Sequence, residues 1–319
     1  MVGCVVIASP LEFDTTKRMV ESWGRVWTLR PRGQPAPMPF ARADDGTRLY
    51  YEIAGDRSTS RAVLLVMGLG LRGELWGETR DALAGAGYRI LTMDNRGVGD
   101  SRVARISLTT ATMADDAVAV IDHASAGRIN VVGTSLGGMV AQQLALRHPD
   151  RVEALVLQST TAGMPRLDFI PTSGLARLGG LLRARITDVS REERARAALR
   201  LLTTDAYART ARLDDPRLAP LLAAMEMSVS PVGYVAQLRA AWTHRGWKEL
   251  HQITTPTLVQ HGAEDQIVSP GAGRAMAERI PGARLDVYDG AGHLLALERP
   301  DSIRAVRAFL GACERRAVA

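Results

Sequence analysis

Cysteine is nearly absent from this chain of 319 residues, with Cys4 near one end and Cys313 near the other. Two distant thiols argue against a disulfide framework and fit a reducing compartment equally well, and both read as incidental. Lysine is equally scarce, at Lys17 and Lys248 only, so arginine carries almost all of the basic charge behind the net +6. An arginine habit of this kind reads as composition, and no nucleic-acid partner is expected from it. No apolar run approaches the roughly 20 residues that span a bilayer. The stretch from Met1 to Ser9 is short and lacks a positive flank, which excludes a signal-peptide reading. The expectation is a cytoplasmic protein with no membrane span.

What is present is ordinary for a globular protein: 46% apolar and 23% charged residues. The length suffices for one large domain plus an insertion. Residues 1–37 have weak periodicity and end in a proline-rich stretch, Arg30 to Pro37, which denies a helix. They read as an N-terminal extension, with folded sequence beginning near Met38. Strand and helix signals then alternate. Strands are expected at Leu49–Ala54, Ala62–Met67, Arg89–Met93, Arg128–Gly133 and Val152–Gln158, with helices at Glu78–Gly85, Thr112–Ala124 and Leu136–Arg147. The unbroken apolar run in Ala62–Met67 suits a strand buried on both faces. This alternation specifies an α/β fold with a doubly wound, mostly parallel sheet.

The rhythm breaks at Gly163 and resumes near Leu250, with Arg, Leu and Ala at helical spacing between. That segment, 163–250, reads as an inserted helical cap between two parts of the core, 38–162 and 251–319. Strands return at Pro256–Gln260 and Arg284–Tyr288, and a last helix covers Asp301–Cys313. From Pro165 to Arg212 ten arginines face five acids, leaving +5 in one segment. A solvated helical face is the plain reading; docking of an anionic substrate or an acidic carrier protein is the sharper one, with Arg191, Arg194 and Arg196 as its residues.

The chemistry centres on Gly133-Thr134-Ser135-Leu136-Gly137, set between a predicted strand and a predicted helix. A serine in a G-x-S-x-G elbow occupies a strained turn that lifts its hydroxyl above the sheet, and the flanking glycines let strand and helix approach. Helix N-terminal amides beneath it favour developing negative charge. A serine hydroxyl needs a base. Of six histidines, His123 falls in a helix, His148 precedes the helix-ending Pro149, His244 and His251 fall in the insert or at its exit, and His261 follows a strand as a packed residue. His293 stands in a glycine-rich loop after the last strand, where it can reach the C-terminal edge of the sheet. The base needs a carboxylate to fix its tautomer, in the chain order serine, acid, histidine. Asp265 and its neighbour Glu264 both lie in the loop that meets this order. The glycine-rich Asp94–Ser101 segment lacks the lysine of a phosphate loop and reads as structural turn chemistry.

Taken together, the chain resembles the α/β-hydrolase superfamily over nearly all of Phe40 to Leu310. The likeness rests on the elbow Gly133–Gly137, on Asp94 to Ser101 as D-x-R-G-x-G-x-S, on Gly262 to Asp265 as G-x-x-D, and on Gly292-His293. It favours Asp265 over Glu264 and implies an oxyanion hole from the backbone N–H groups of Leu69 and Leu136. Most relatives carry His-Gly where this chain has Met67-Gly68. Related epoxide hydrolases and haloalkane dehalogenases place aspartate at the elbow, so Ser135 argues for acyl chemistry. The resemblance implies a cofactor-independent, metal-free serine hydrolase of a carboxylic ester, lactone or thioester, acting on a small-molecule acyl substrate with an apolar portion. Trp76 reads either as a substrate contact or as a core residue. Non-hydrolytic enzymes on the same fold (cyclase, lyase, acyltransferase, perhydrolase) and a receptor retaining the triad are the alternatives.

Overall fold

A computed structural model describes residues 40–102, 107–163, 189–226 and 230–318, with scattered positions between 171 and 177. The expected N-terminal extension and much of the first half of the expected cap, including Met164, lie outside the described residues. Among the described residues one sheet has eight strands: β1 Phe40–Arg42, β2 Arg48–Ala54, β3 Ala62–Val66, β4 Arg89–Met93, β5 Ile129–Thr134, β6 Val152–Gln158, β7 Thr257–Gly262 and β8 Arg284–Tyr288. Their spatial order is β1-β2-β4-β3-β5-β6-β7-β8, antiparallel at β1-β2 and β2-β4 and parallel from there on. Strand β1 escaped the sequence reading because three residues carry no periodicity.

Alternation along the strands builds two cores. Leu64 and Val66 of β3 face one way with Val131 and Leu155, while Val63 and Leu65 face the other with Val132 and Val156. The first face is covered by α2 Thr110–His123, α3 Leu136–Arg147 and α8 Pro270–Arg279, through Val120, Val140 and Met276. The second is covered by α1 Gly77–Ala84 and α10 Asp301–Val318, through Leu83, Val306 and Leu310. Helix α10 runs past the expected Cys313 to Val318 because nothing breaks it there, and Arg315 and Arg316 suit the negative end of its dipole.

Between β6 and β7 the described insert contributes α4 Arg191–Leu202, α5 Asp205–Thr210, α6 Ala219–Glu226 and α7 Pro231–Thr243. Helix α4 starts with a capping box at Ser190 and Glu193. Its arginines are in part spent locally: Arg194 donates to Val189 O, and Arg196 to Ala208 O and Ala211 O. The chain leaves and re-enters the sheet domain side by side, at a backbone bridge between Gly163 and Arg245. Leu199, Leu218, Leu221 and Leu222 of the insert join the second core. No described helix is long and apolar enough to cross a membrane.

Candidate active site

Five loops leave the C-terminal ends of parallel strands β3, β4, β5, β7 and β8, the edge at which such sheets place their sites. At the end of β5 the backbone turns through Ser135, whose φ of 54° and ψ of −121° lie where a non-glycine residue is strained. Sterics enforce this turn. A Cβ on Gly137 would lie 2.0 Å from Val66 O, and one on Gly133 would lie 2.3 Å from Gly137 O. Four bonds hold the turn: Ser135 N–H donates to Gln158 O at 3.0 Å, and Ser135 O accepts from Gly138 N–H at 2.9 Å, Met139 N–H at 3.2 Å and Thr160 Oγ1 at 2.6 Å. Ser135 itself is half-buried at the N-terminus of α3, and Leu136 N–H is the first of the amides that a helix start leaves unpaired.

The loop after β7 carries Asp265, which is buried, while Glu264 is exposed. Both oxygens of Asp265 are held. Its Oδ1 accepts from the N–H groups of Ile267 at 2.8 Å and Val268 at 3.0 Å, and its Oδ2 meets His293 Nδ1 at 2.8 Å. His261 Nε2 lies 3.3 Å from the same Oδ2 and donates to Val268 O at 3.0 Å. Burial alone would raise the Asp265 carboxyl, but the imidazoles of His293 and His261 outweigh it and hold Asp265 well below the usual carboxylate range. A carboxylate at Asp265 makes His293 Nδ1 the donor, which leaves Nε2 of the neutral ring as an acceptor.

The loop after β8 presents His293, buried, between Gly292 and Leu294. Glu298, in the short helix α9 Leu295–Glu298, fastens this loop to the insert: its Oε2 accepts from Gly292 N–H at 2.7 Å and its Oε1 from Thr204 N–H at 3.0 Å and Thr204 Oγ1 at 2.6 Å. Leu294 N–H donates to Leu202 O at 2.8 Å. The structure thus joins two of the expected residues, Asp265 and His293, by a hydrogen bond. Among the described residues no hydrogen bond links Ser135 to His293, as is common before a substrate tightens such a contact.

The loop after β3 runs Met67-Gly68-Leu69-Gly70 beside the elbow, and a Cβ on Gly68 would lie 3.2 Å from Ser135 Cβ. Asn95 Nδ2, from the loop after β4, donates to Met67 O at 2.7 Å. That second loop is a hydrogen-bonded turn, as the sequence led us to expect: Asp94 accepts from Gly73 N–H and Asp100 N–H, Ser101 Oγ donates to Asp94 O, and Arg96 is buried between Asp116 and Asp45. Trp76 is buried in the second core with Met67, Leu71 and Leu83, and its indole Nε1 has no partner among the described residues.

The remaining histidines serve elsewhere. His123 pairs with Tyr51, His148 with Asp115 and His244 with Thr110, and His251 is exposed. The sequence reading missed the role of His261 against Asp265 and that of Glu298 against Gly292. The strand position of His261 was the one signal available. Among the described residues no group of three or more His, Cys, Asp or Glu side chains is arranged to hold a metal ion.

A family model described as alpha/beta hydrolase fold matches residues 61–300. A poly(3-hydroxyalkanoate) depolymerase of Ectopseudomonas oleovorans is 31% identical over 68% of this chain and 72% of its own. The 2-hydroxy-6-oxononadienedioate/2-hydroxy-6-oxononatrienedioate hydrolase of Cupriavidus pinatubonensis is 31% identical over 72% of this chain and 79% of its own. The solved structure of the enol-lactonase from Burkholderia xenovorans superposes with a TM-score of 0.70 at 28% identity, covering 86% of this chain and 100% of that one.

Proposed function

Because the chain belongs to the α/β-hydrolase fold family, we propose that it is a serine hydrolase that works without a cofactor on a carboxylic ester, lactone or thioester, through an acyl-enzyme at Ser135. The observation that carries this reading is the 2.8 Å hydrogen bond between His293 Nδ1 and a buried, ionised Asp265. It leaves Nε2 of His293 as the basic face of the ring, at the same sheet edge as the strained serine turn. Relatives named as a hydrolase, a depolymerase and an enol-lactonase support hydrolytic chemistry.

The steps follow from these groups. Ser135 Oγ attacks the substrate carbonyl carbon as His293 Nε2 takes its proton. The carbonyl oxygen becomes an oxyanion that accepts from the N–H groups of Leu69 and Leu136, each such donor being worth about 3 kcal/mol in comparable sites. His293 then gives its proton to the leaving alcohol or thiol, and the C–O or C–S bond breaks. Water attacks the acyl-enzyme with His293 again as base, releasing the acid and restoring Ser135. Asp265 stays ionised throughout and stabilises the imidazolium. The insert over 163–250 would shape the acyl pocket.

Incubation with a small fluorophosphonate followed by mass spectrometry, alongside turnover of p-nitrophenyl acetate and butyrate, tests the reading. One adduct on Ser135 and loss of turnover in Ser135→Ala are expected. A wild type with neither adduct nor turnover would reject acyl chemistry at this site.

A further inference from the structure

Three consecutive peptide units lead through the amide that the oxyanion site requires, and a different partner fastens each. Asn95 Nδ2 holds Met67 O at 2.7 Å. Leu71 N–H holds Gly68 O at 3.3 Å. Gln237 Oε1, from α7, accepts from Gly70 N–H at 2.9 Å. A trans peptide is planar and its carbonyl and N–H point in opposite directions. Gly68 O and Leu69 N–H share one such plane, so Leu69 N–H turns only if the planes on either side move with it.

Gln237 controls the downstream plane and is itself tightly specified. It is fully buried, and its Nε2 donates to Arg96 O at 2.9 Å. An amide that accepts from an N–H on one side and donates to a carbonyl on the other has a single workable orientation. Burying it is costly unless both bonds form. Its neighbours Gly233, Ala236 and Ala240 are small and buried, and a Cβ on Gly233 would lie 2.1 Å from Gly97 O. Helix α7 therefore approaches backbone to backbone, which brings a side chain of this length to Gly70 N–H. An alkyl side chain at 237 would fill the same space without either bond.

We propose that Gln237 is a positioning residue for the acyl reaction: from the insert, it holds the Leu69–Gly70 peptide so that Leu69 N–H stays aimed at the oxyanion forming on Ser135. This rests on the reading of Ser135 given above. Gln237 touches no substrate and acts through Gly70.

The test is Gln237→Met, which keeps the length and removes both hydrogen bonds. For p-nitrophenyl butyrate we expect kcat to fall about 10- to 100-fold, the scale on which small misplacements act, with KM changed less than about threefold. A packing role alone would not alter a second readout, the ratio of rates on an ester and its thiono analogue. Sulfur accepts amide hydrogen bonds poorly, so an aimed donor favours the oxygen ester, and this preference should shrink in the variant. Should Gln237→Met fail to fold, Gln237→Leu carries the test, since it too removes the acceptor for Gly70 N–H in a smaller apolar side chain; its kcat and ratio should fall likewise. A folded variant whose kcat or whose ester preference matches wild type overturns the role. A wild type that turns over no ester fails at Ser135 first and takes this role with it, a result read without any variant.

Discussion

Asp265 and Glu264 are adjacent in sequence and opposite in fate, and the contrast isolates what the carboxylate does. In Asp265→Asn the Oδ1 oxygen can keep the N–H groups of Ile267 and Val268, which places the new NH2 where Oδ2 met His293 Nδ1. An amide donor there forces the proton of the neutral ring onto Nε2, the position that accepts from Ser135 in the proposed mechanism. We expect kcat for p-nitrophenyl butyrate to drop about 10³- to 10⁴-fold, while exposed Glu264→Gln leaves it within about twofold; comparable losses in the two variants would count against the assignment. Glu298 offers a stability counterpart. In Glu298→Ala the N–H groups of Gly292 and Thr204 lose their acceptor, and urea unfolding should show a loss of about 1–3 kcal/mol. The candidates Ser135 and His293 were legible because the elbow and the glycine-rich loop carry local signals, while Asp265 was chosen over Glu264 on the family resemblance. Glu298, His261 and Gln237 were not legible. Glu298 and Gln237 reach Thr204 and Gly70 on distant segments, His261 meets Asp265 only through the path of the loop between them, and a glutamine in a helix looks the same whether it faces water or a loop amide.

Elements were more legible than the contacts between them. The strands β3, β4 and β6 fall within a residue of their expected bounds because each is a run buried on both faces, and runs of that kind announce themselves without partners. The way α7 docks is a matter of interelement distance, which no periodicity encodes. Glycine positions test it. Gly233→Ala would drive a methyl group into Gly97 O and push α7 away from the loops after β3 and β4, so thermal or urea unfolding should register a cost of about 1–3 kcal/mol. Gly77, by contrast, begins α1 with open space where its Cβ would stand. Gly77→Ala should be neutral or gain up to about 1 kcal/mol from helix propensity. Equal costs at the two positions would mean that α7 is not held by close backbone approach.

At the scale of the whole molecule, stability should depend on pH through one buried histidine. His244, where the insert rejoins the sheet domain, bonds Thr110 Oγ1 through Nδ1 at 2.9 Å. Burial, with the charge of Arg245 adding to it, lowers its pKa to about 4. The unfolded chain takes up this proton near the ordinary histidine value of about 6.5, so between those values the unfolded state binds more protons than the folded one. The contribution of His244 is therefore complete above about pH 6.5 and lost as pH falls toward 4, with a total of about 3 kcal/mol. Asp94 and Asp116, raised by burial, act in the opposite sense, and Asp45 and Asp265, held low by their cationic or imidazole partners, add losses only below the usual carboxylate range. A difference between wild type and His244→Gln separates these terms, because the carboxylates are common to both. Urea unfolding at pH 7 and pH 4.5 should show a wild-type loss larger than that of the variant by about 2 kcal/mol. Equal losses would transfer the acid sensitivity to the carboxylates and leave His244 as a packed side chain with no electrostatic consequence.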